Sequence, residues 1–536
     1  MGKNQFYIPL VLAATLIIGI YMGGKLEFNE RPIPGFSSNP KQAQKINQLI
    51  NYINRDYVEE VNTDSLLDET INEFLHKLDP HSSYISTAQI QSVEESMQGN
   101  FEGIGVEFNI LKDTLIVVSA IAGGPSEMLG IQSGDRIVEV EGESIAGVGI
   151  TNDEVIQMLR GEKGSKVSIK IFRPGDRGLL DFKITRNEIP IHSLDAAYLI
   201  DTNIAYIKLN RFAETTYDEF HDALKDLKAQ GAEKLVLDLR GNPGGYLHVA
   251  NAIADDLLSD GELIVFTEGR NREKKYTYAT EKGIFEEGQV VVLIDEGSAS
   301  ASEIIAGAIQ DNDRGWIAGR RSFGKGLVQE QWELSDGSAV RLTVARYYTP
   351  SGRCIQKSYE NGYDEYMMES YHRFESGELT SDTTVIADSL TYYTKGGRTV
   401  YGGGGILPDY TIPIDTSLAG TGYYQIVNRG ELTVYALNEA DRLRKNKPDQ
   451  ESFIASFEIT AEMWSRFKAH LNEQEVDWPN QMDSNAMALI ENRLKSLIAR
   501  QLYGDEAFYR IYNQRDEVLN KGLEIVEESI ADSIDE

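Results

Sequence analysis

The spacing of apolar residues changes along the chain, and each change predicts a different kind of element. Phe6 to Met22 is an almost unbroken apolar run of about 17 residues, at the short end of what spans a bilayer. Lys25 to Pro40, with Pro32, Pro34, Gly35 and paired serines, predicts a linker. Ile46, Leu49, Ile50 and Ile53 then keep helical spacing, and Leu67, Ile71, Phe74, Leu75 and Leu78 repeat it. Two amphipathic helices are predicted, the second stopped by Pro80. From Asn100 to about Glu188 the texture turns to short alternating strands and glycine turns, with one helix whose start is marked by the Thr151/Glu154 capping box.

Residues 190 to 350 alternate strand and helix. Ile204–Leu209 is a strand, Tyr217 to Lys228 a helix and Lys234–Leu239 a second buried strand, an order that predicts an α/β layered core. Gln289–Asp295 is a Val-rich strand that breaks at Gly297 and hands over to a helix bearing Ile304, Ile305, Ala308 and Ile309. Asp311-Asn312-Asp313 ends that helix, and Ala339 to Ala345 is a further strand. After Asp415 the chain is helical and polar. Leu489, Ile490, Leu494, Leu497 and Ile498 form one stripe, and Trp464 and Phe467 belong to another. They predict a helical appendage that packs on the body or mediates assembly, followed by a frayed acidic tail.

Composition narrows the function classes. A chain of 536 residues is too long for one core. The 84 acidic residues against 52 basic ones give a formal charge of -32, which repels nucleic acid and anionic lipid. A single cysteine, Cys354, excludes an internal disulfide, and the 7 histidines lack zinc-site spacing. Lys3 before the apolar run favours an uncleaved membrane anchor with the body outside the cytoplasm; the rival is a cleaved signal peptide, which no A-x-A pattern supports.

The chemistry concentrates in residues 289 to 329. Ser300 lies where a strand meets the first turn of a helix, beside unpaired N–H groups and the positive end of the dipole. Those amides can hold the oxyanion formed when a nucleophile attacks a carbonyl. No histidine lies in this stretch, so Lys325, between Gly324 and Gly326, is the candidate base. To be half neutral at pH 7 a lysine that titrates near ~10.4 must fall by roughly 3 pH units, on the order of 4 kcal/mol, and burial can supply that. Gln329, four residues on, can orient the amine without adding charge. The bland reading is an N-cap in Ser298–Ser302 and a turn with a solvated lysine. A second glycine loop, Asp238-Leu239-Arg240-Gly241-Asn242-Pro243-Gly244-Gly245, follows a buried strand and exposes N–H groups. It lacks the Gly-Lys-Ser/Thr of a phosphate loop, and Ser300 lacks the Lys of a Ser-x-x-Lys enzyme. His248, just beyond the loop, is read as packing or capping.

Taken together, SASASEIIAGAIQDNDR, SFGKGLVQ, DLRGNPGG, the Leu78-Asp79-Pro80-His81-Ser82-Ser83-Tyr84 phrase and Tyr348-Thr349-Pro350-Ser351-Gly352-Arg353 resemble the carboxyl-terminal processing (tail-specific) serine proteases. The resemblance covers roughly residues 45 to 415. It implies an α/β (ClpP/crotonase-like) protease core with an inserted mainly-β PDZ domain and helical N- and C-terminal regions. It further implies Ser300 as nucleophile, Lys325 as base, Gln329 as its support, and an oxyanion hole of Gly244 or Gly245 with Ala301. His81 is read as structural. Residues 100–188, with Gly103-Ile104-Gly105-Val106 and the Pro125-Ser126…Ser133-Gly134-Asp135-Arg136-Ile137 phrase, are similar to a PDZ domain. Such a domain takes a chain end by strand addition. By position the amides of Ile104, Gly105 and Val106 receive the carboxylate, and Val155 and Leu159 line the side-chain pocket. Arg160 resembles a family arginine that couples peptide occupancy to the protease site; alone it is a dipole-compensating helix-end residue.

One departure is marked. The Gly405-Ile406-Leu407-Pro408-Asp409 phrase is delayed by an insertion at 357–400, which is a lid, a docking surface or a floppy loop. The implied partners are protein substrates held by their C-terminal ends, an adaptor protein, the membrane through the anchor, and a second copy of the chain, with no nucleic acid. No metal or organic cofactor is implied. The rivals are a catalytically silent scaffold or lipid carrier on the same fold and a crotonase-type acyl-CoA enzyme.

Overall fold

The structure, a computed structural model, describes residues 40–528 apart from 112, 382–389, 419–421, 477 and 479–481. The apolar run at Phe6–Met22, nearly all of the linker and the end of the acidic tail lie outside the described residues. No helix among the described residues is long and apolar enough to cross a membrane.

The central sheet has six strands in the order Leu194–Leu199, Ile204–Leu209, Lys234–Asp238, Gln289–Ile294, Trp316–Gly319 and Tyr410–Thr411. All pairs from Ile204 onward are parallel, and the first strand is antiparallel to the second. Alternate residues of each strand serve opposite faces. Ala205, Ile207, Leu235, Leu237, Val290 and Val292 belong to a core with Phe220, Leu224, Ile253, Ile305 and Ile309 of the crossover helices. Ile204, Tyr206, Val236, Val291 and Leu293 face Val518, Leu519, Ile525 and Val526 of the helix Glu517–Glu527. Burial on both faces explains why these strands read as continuous apolar runs. Gly522 lets the last helix come close, since a Cβ there would lie 2.9 Å from Leu293 Cδ2.

A second sheet runs Ser83–Ile85, Ala339–Tyr348, Leu263–Gly269 and Arg272–Tyr278, with Leu327–Glu333 also paired to Ala339–Tyr348. It carries the lysine loop to the serine. Segment 100–190 forms its own sheet of Val106–Leu111, Thr114–Ala120, Arg136–Val140, Lys166–Phe172 and Leu179–Thr185, with the helix Asn152–Leu159. Asn100–Gly103 pairs with Asn187–Pro190, so the way in and the way out are one two-stranded ribbon. Helices between Tyr423 and Tyr503 enclose a separate apolar cluster that includes Phe453, Phe467, Ile490, Leu494 and Ile498.

Pro40–Asp56 and Thr63–His76 are helices, and Ile46 and Leu49 of the first stripe are exposed. The second helix stops before the pattern predicts, leaving Leu78 exposed. The next turn is held by a buried carboxylate instead: Asp79 Oδ1 accepts from the N–H groups of His81 at 2.9 Å and Ser82 at 2.8 Å. The insertion is folded where described, with a helix Tyr363–Glu375 and a hairpin of Thr391–Tyr393 and Thr399–Tyr401.

Candidate active site

The strand Gln289–Ile294 lies in the interior of the central sheet, and a turn after it carries the chain into the helix Ala301–Asp311, every residue of which is buried. Ser300 is the N-cap, with φ 54° and ψ -110°. A non-glycine residue there is strained by on the order of 1–3 kcal/mol, which the surrounding hydrogen bonds must hold. The Asp238–Gly245 loop presses against this turn. A side chain at Gly244 would lie 2.8 Å from Ser300 Cβ and 2.9 Å from Ala301 N, so only glycine fits.

Three serines share the turn and differ in what their hydroxyls do. Ser298 Oγ donates to Leu239 O at 2.8 Å, and Ser302 Oγ donates to Asn242 O at 3.0 Å; both are fully buried. Ser300 alone of the three lines the adjoining cavity of about 740 Å³. Lys325, Gln329, Gly244, Gly245 and Tyr347 line the same cavity. Lys325 Nζ donates to Gln329 Oε1 at 3.0 Å. Burial, helped by the nearby charge of Arg341, lowers the Lys325 amine to about 8, against the pull of Glu303 and Asp79. An amine lowered this far is partly free near neutral pH, which is what a proton acceptor requires.

Glu303 ties the two catalytic loops together. Its buried carboxylate accepts from Ser300 N at 2.8 Å, Ser322 Oγ at 2.6 Å, Gly324 N at 2.7 Å and Lys325 N at 2.9 Å. Burial raises its proton affinity and the four donors oppose that. Tyr347 Oη lies 2.7 Å from Lys325 O and 3.1 Å from Ser300 O, a second tie between the same loops. Neither residue stands out among the sequence candidates, although Ser300-x-x-Glu303 has the form of a capping box.

Two backbone donors near the serine are left without partners. The N–H groups of Ala301 and Gly245 have no hydrogen-bond partner among the described residues. Phe212 N donates to Gly244 O and Tyr246 N to Phe212 O, so this parallel bridge turns the Gly245 N–H away from Phe212. Gly244 is corrected as an oxyanion donor: its N–H is already engaged by Asn242 Oδ1 at 2.9 Å. His248 pairs with exposed Glu214 at 3.1 Å.

The second candidate site is a groove of about 240 Å³ between the edge strand Val106–Leu111 and the helix Asn152–Leu159. Ile104, Gly105, Val106, Leu159 and Arg160 line it. Ser126 N and Ile121 N donate to the carbonyls of Ile104 and Gly105, whose own N–H groups have no partner among the described residues. Val155 is corrected as a groove residue. It is 1% exposed in the domain's core, and Ile156, about 100° further round the helix, lines the groove instead. Arg160 bonds Glu95 and lies 5.0 Å over the Phe101 ring. Glu95 is on the helix Thr87–Gln98, whose Val93, Glu94, Met97 and Gln98 line the catalytic cavity.

Three family models match parts of the chain. Residues 203–363 match peptidase family S41, 116–173 a PDZ domain, and 422–504 a family of unknown function. The chain is 34% identical to carboxy-terminal processing protease CtpB of Bacillus subtilis, over 66% of this chain and 76% of that protein. It is 38% identical to the carboxy-terminal-processing protease of Bartonella bacilliformis, over 66% of this chain and 79% of that one. Among solved structures, a photosystem II D1 C-terminal processing protease is 29% identical over 59% of this chain and 85% of its own, with a TM-score of 0.34.

Proposed function

Because the chain belongs to the S41 peptidases, among the PDZ-containing carboxy-terminal processing proteases, we propose that it is a serine endopeptidase working through a Ser300/Lys325 dyad on proteins held by their C-terminal tails. The observation that carries this reading is the shared cavity: a strained, cavity-facing serine and a half-buried lysine whose amine titrates near 8. Neutral Lys325 takes the Ser300 proton as Oγ bonds to the peptide carbonyl carbon. The Gly245 and Ala301 N–H groups receive the oxyanion. The Lys325 ammonium then gives its proton to the leaving amine, and a water deprotonated by the same amine releases the acyl group.

The tail enters as an added strand beside Val106–Leu111, with its carboxylate on the Ile104 and Gly105 amides and its last side chain against Ile156 and Leu159. Arg160 links that groove to the helix lining the catalytic cavity through Glu95. Lys3 and the apolar run after it support anchoring of the body outside the cytoplasm, with envelope proteins as substrates. The test is cleavage of a tailed model protein by the full-length enzyme. Ser300→Ala and Lys325→Ala each abolish cleavage and keep tail binding; turnover by Ser300→Ala would remove the nucleophile assignment.

A further inference from the structure

We propose that Tyr366, on the helix of the inserted segment, is a positioning residue for the Lys325 amine, acting through His81 and Gln329. The inference rests on Lys325 being the base. A side-chain amide can present either its oxygen or its NH2 to a neighbour, and a neutral lysine could meet either. Here the choice is made from the far side. Gln329 Nε2 donates to His81 O, which can only accept, so Oε1 must face Lys325 Nζ. A neutral amine that donates one N–H to that oxygen turns its lone pair away from Gln329 and keeps it free for a proton.

His81 therefore sets the amide, and His81 is itself held on both sides. Its N–H donates to Asp79, and its Nε2 lies 2.7 Å from Tyr366 Oη. The rings of Phe323 and Tyr366 meet the imidazole edge to face, at 6.2 Å and 5.3 Å. The next residue out leaves the Tyr366 hydroxyl proton unclaimed on that side. Gly326 N donates to Gln356 Oε1 at 2.9 Å, so Gln356 Nε2 is the group that donates to Tyr366 Oη at 3.3 Å. The hydroxyl keeps its own proton to give to His81 Nε2 in the tautomer that accepts there. Burial, with the charge of Lys325, lowers His81 to about 3. The imidazole stays a neutral acceptor throughout the range in which Lys325 titrates. The Asp79–Ser82 turn and the insertion thus converge on one carbonyl.

Two variants cut the Tyr366–His81 bond from opposite sides and keep an aromatic ring at each position and the backbone carbonyl: Tyr366→Phe and His81→Phe. In the full-length enzyme each lowers kcat on a tailed substrate by roughly tenfold, on the scale of one lost positioning hydrogen bond, with KM unchanged. In a Gln329→Ala background neither lowers kcat further, because the amide they orient is gone. Unchanged kcat in both single variants, an altered KM alone, or a loss that multiplies with Gln329→Ala would overturn the inference. If one variant does not fold, the other carries the same comparison. Cleavage that survives Lys325→Ala would instead sink the dyad itself, so the two failures are distinguishable.

Discussion

The cavity beside Ser300 and the groove of the PDZ domain, the two proposed peptide sites, are built on opposite principles. In the cavity nearly every polar group around the reacting atoms is already engaged: Glu303 holds four donors, Asn242 takes the Gly244 amide, and Ser298 and Ser302 are bonded to backbone carbonyls. Among the described residues the Gly245 and Ala301 amides have no partner. In the groove the bonding capacity lies in a strand edge and two amides without partners among the described residues, and the specificity in apolar side chains. Chemistry needs groups fixed before the substrate arrives, because charge develops only in the transition state. Recognition of varied tails needs a template that any backbone can complete. Damage to the first region should therefore appear in kcat, and damage to the second in KM.

Gly245→Ala tests the rigid side hardest. A Cβ there would lie 2.1 Å from Phe212 O, at φ 154°, so the loop must move and carry its amide away from Ser300. We expect kcat to fall by about 10²–10³-fold, the scale of one lost oxyanion donor, with KM for the tail unchanged. A loss confined to KM would mean that the loop serves binding.

Lys325→Met asks whether the base is held at a cost to the fold. The folded amine titrates near 8 and an unfolded lysine near ~10.4, so between those values the unfolded chain keeps a proton that the folded one lacks. Stability contributed by this site rises across that window and is lowest below 8. The inactive Met variant should be more stable than the parent at pH 7 by on the order of 3 kcal/mol, with the gap closing toward pH 10 in urea denaturation. The parent's kcat/KM should climb with pH through a midpoint near 8. Equal stability at pH 7 would put the amine in water.

Ile156→Asp is the smallest effect and probes the soft side. It should raise KM for a tailed substrate by about tenfold, the cost of opposing the tail's carboxylate and losing apolar contact, while leaving kcat in place. A change in kcat of the same size would show that the groove and the cavity are one device, joined through Arg160 and Glu95.

Legibility followed contact distance along the chain. The strand-to-helix turn at Ser300 and the glycine-flanked Lys325 with Gln329 four residues on are local patterns, and each is visible in a few consecutive residues. The Gly244/Gly245 choice was not legible, because it turns on the Asn242 side chain and on a bridge to Phe212. Val155 and Ile156 differ only in helix phase, and the phase is set by which face the domain's sheet covers. The insertion gave no local sign of its role, since Tyr366 meets His81 across 285 residues.

The sequence by itself determined the candidate serine and lysine, the α/β order of the core and the presence of a PDZ domain. Periodicity and short motifs are properties of neighbouring residues. Only the tertiary structure decided which amide is free, which face of a helix meets the groove, and what holds Gln329 against Lys325. Hydrogen bonds saturate, and whether a donor is still available depends on partners that folding brings from distant parts of the chain.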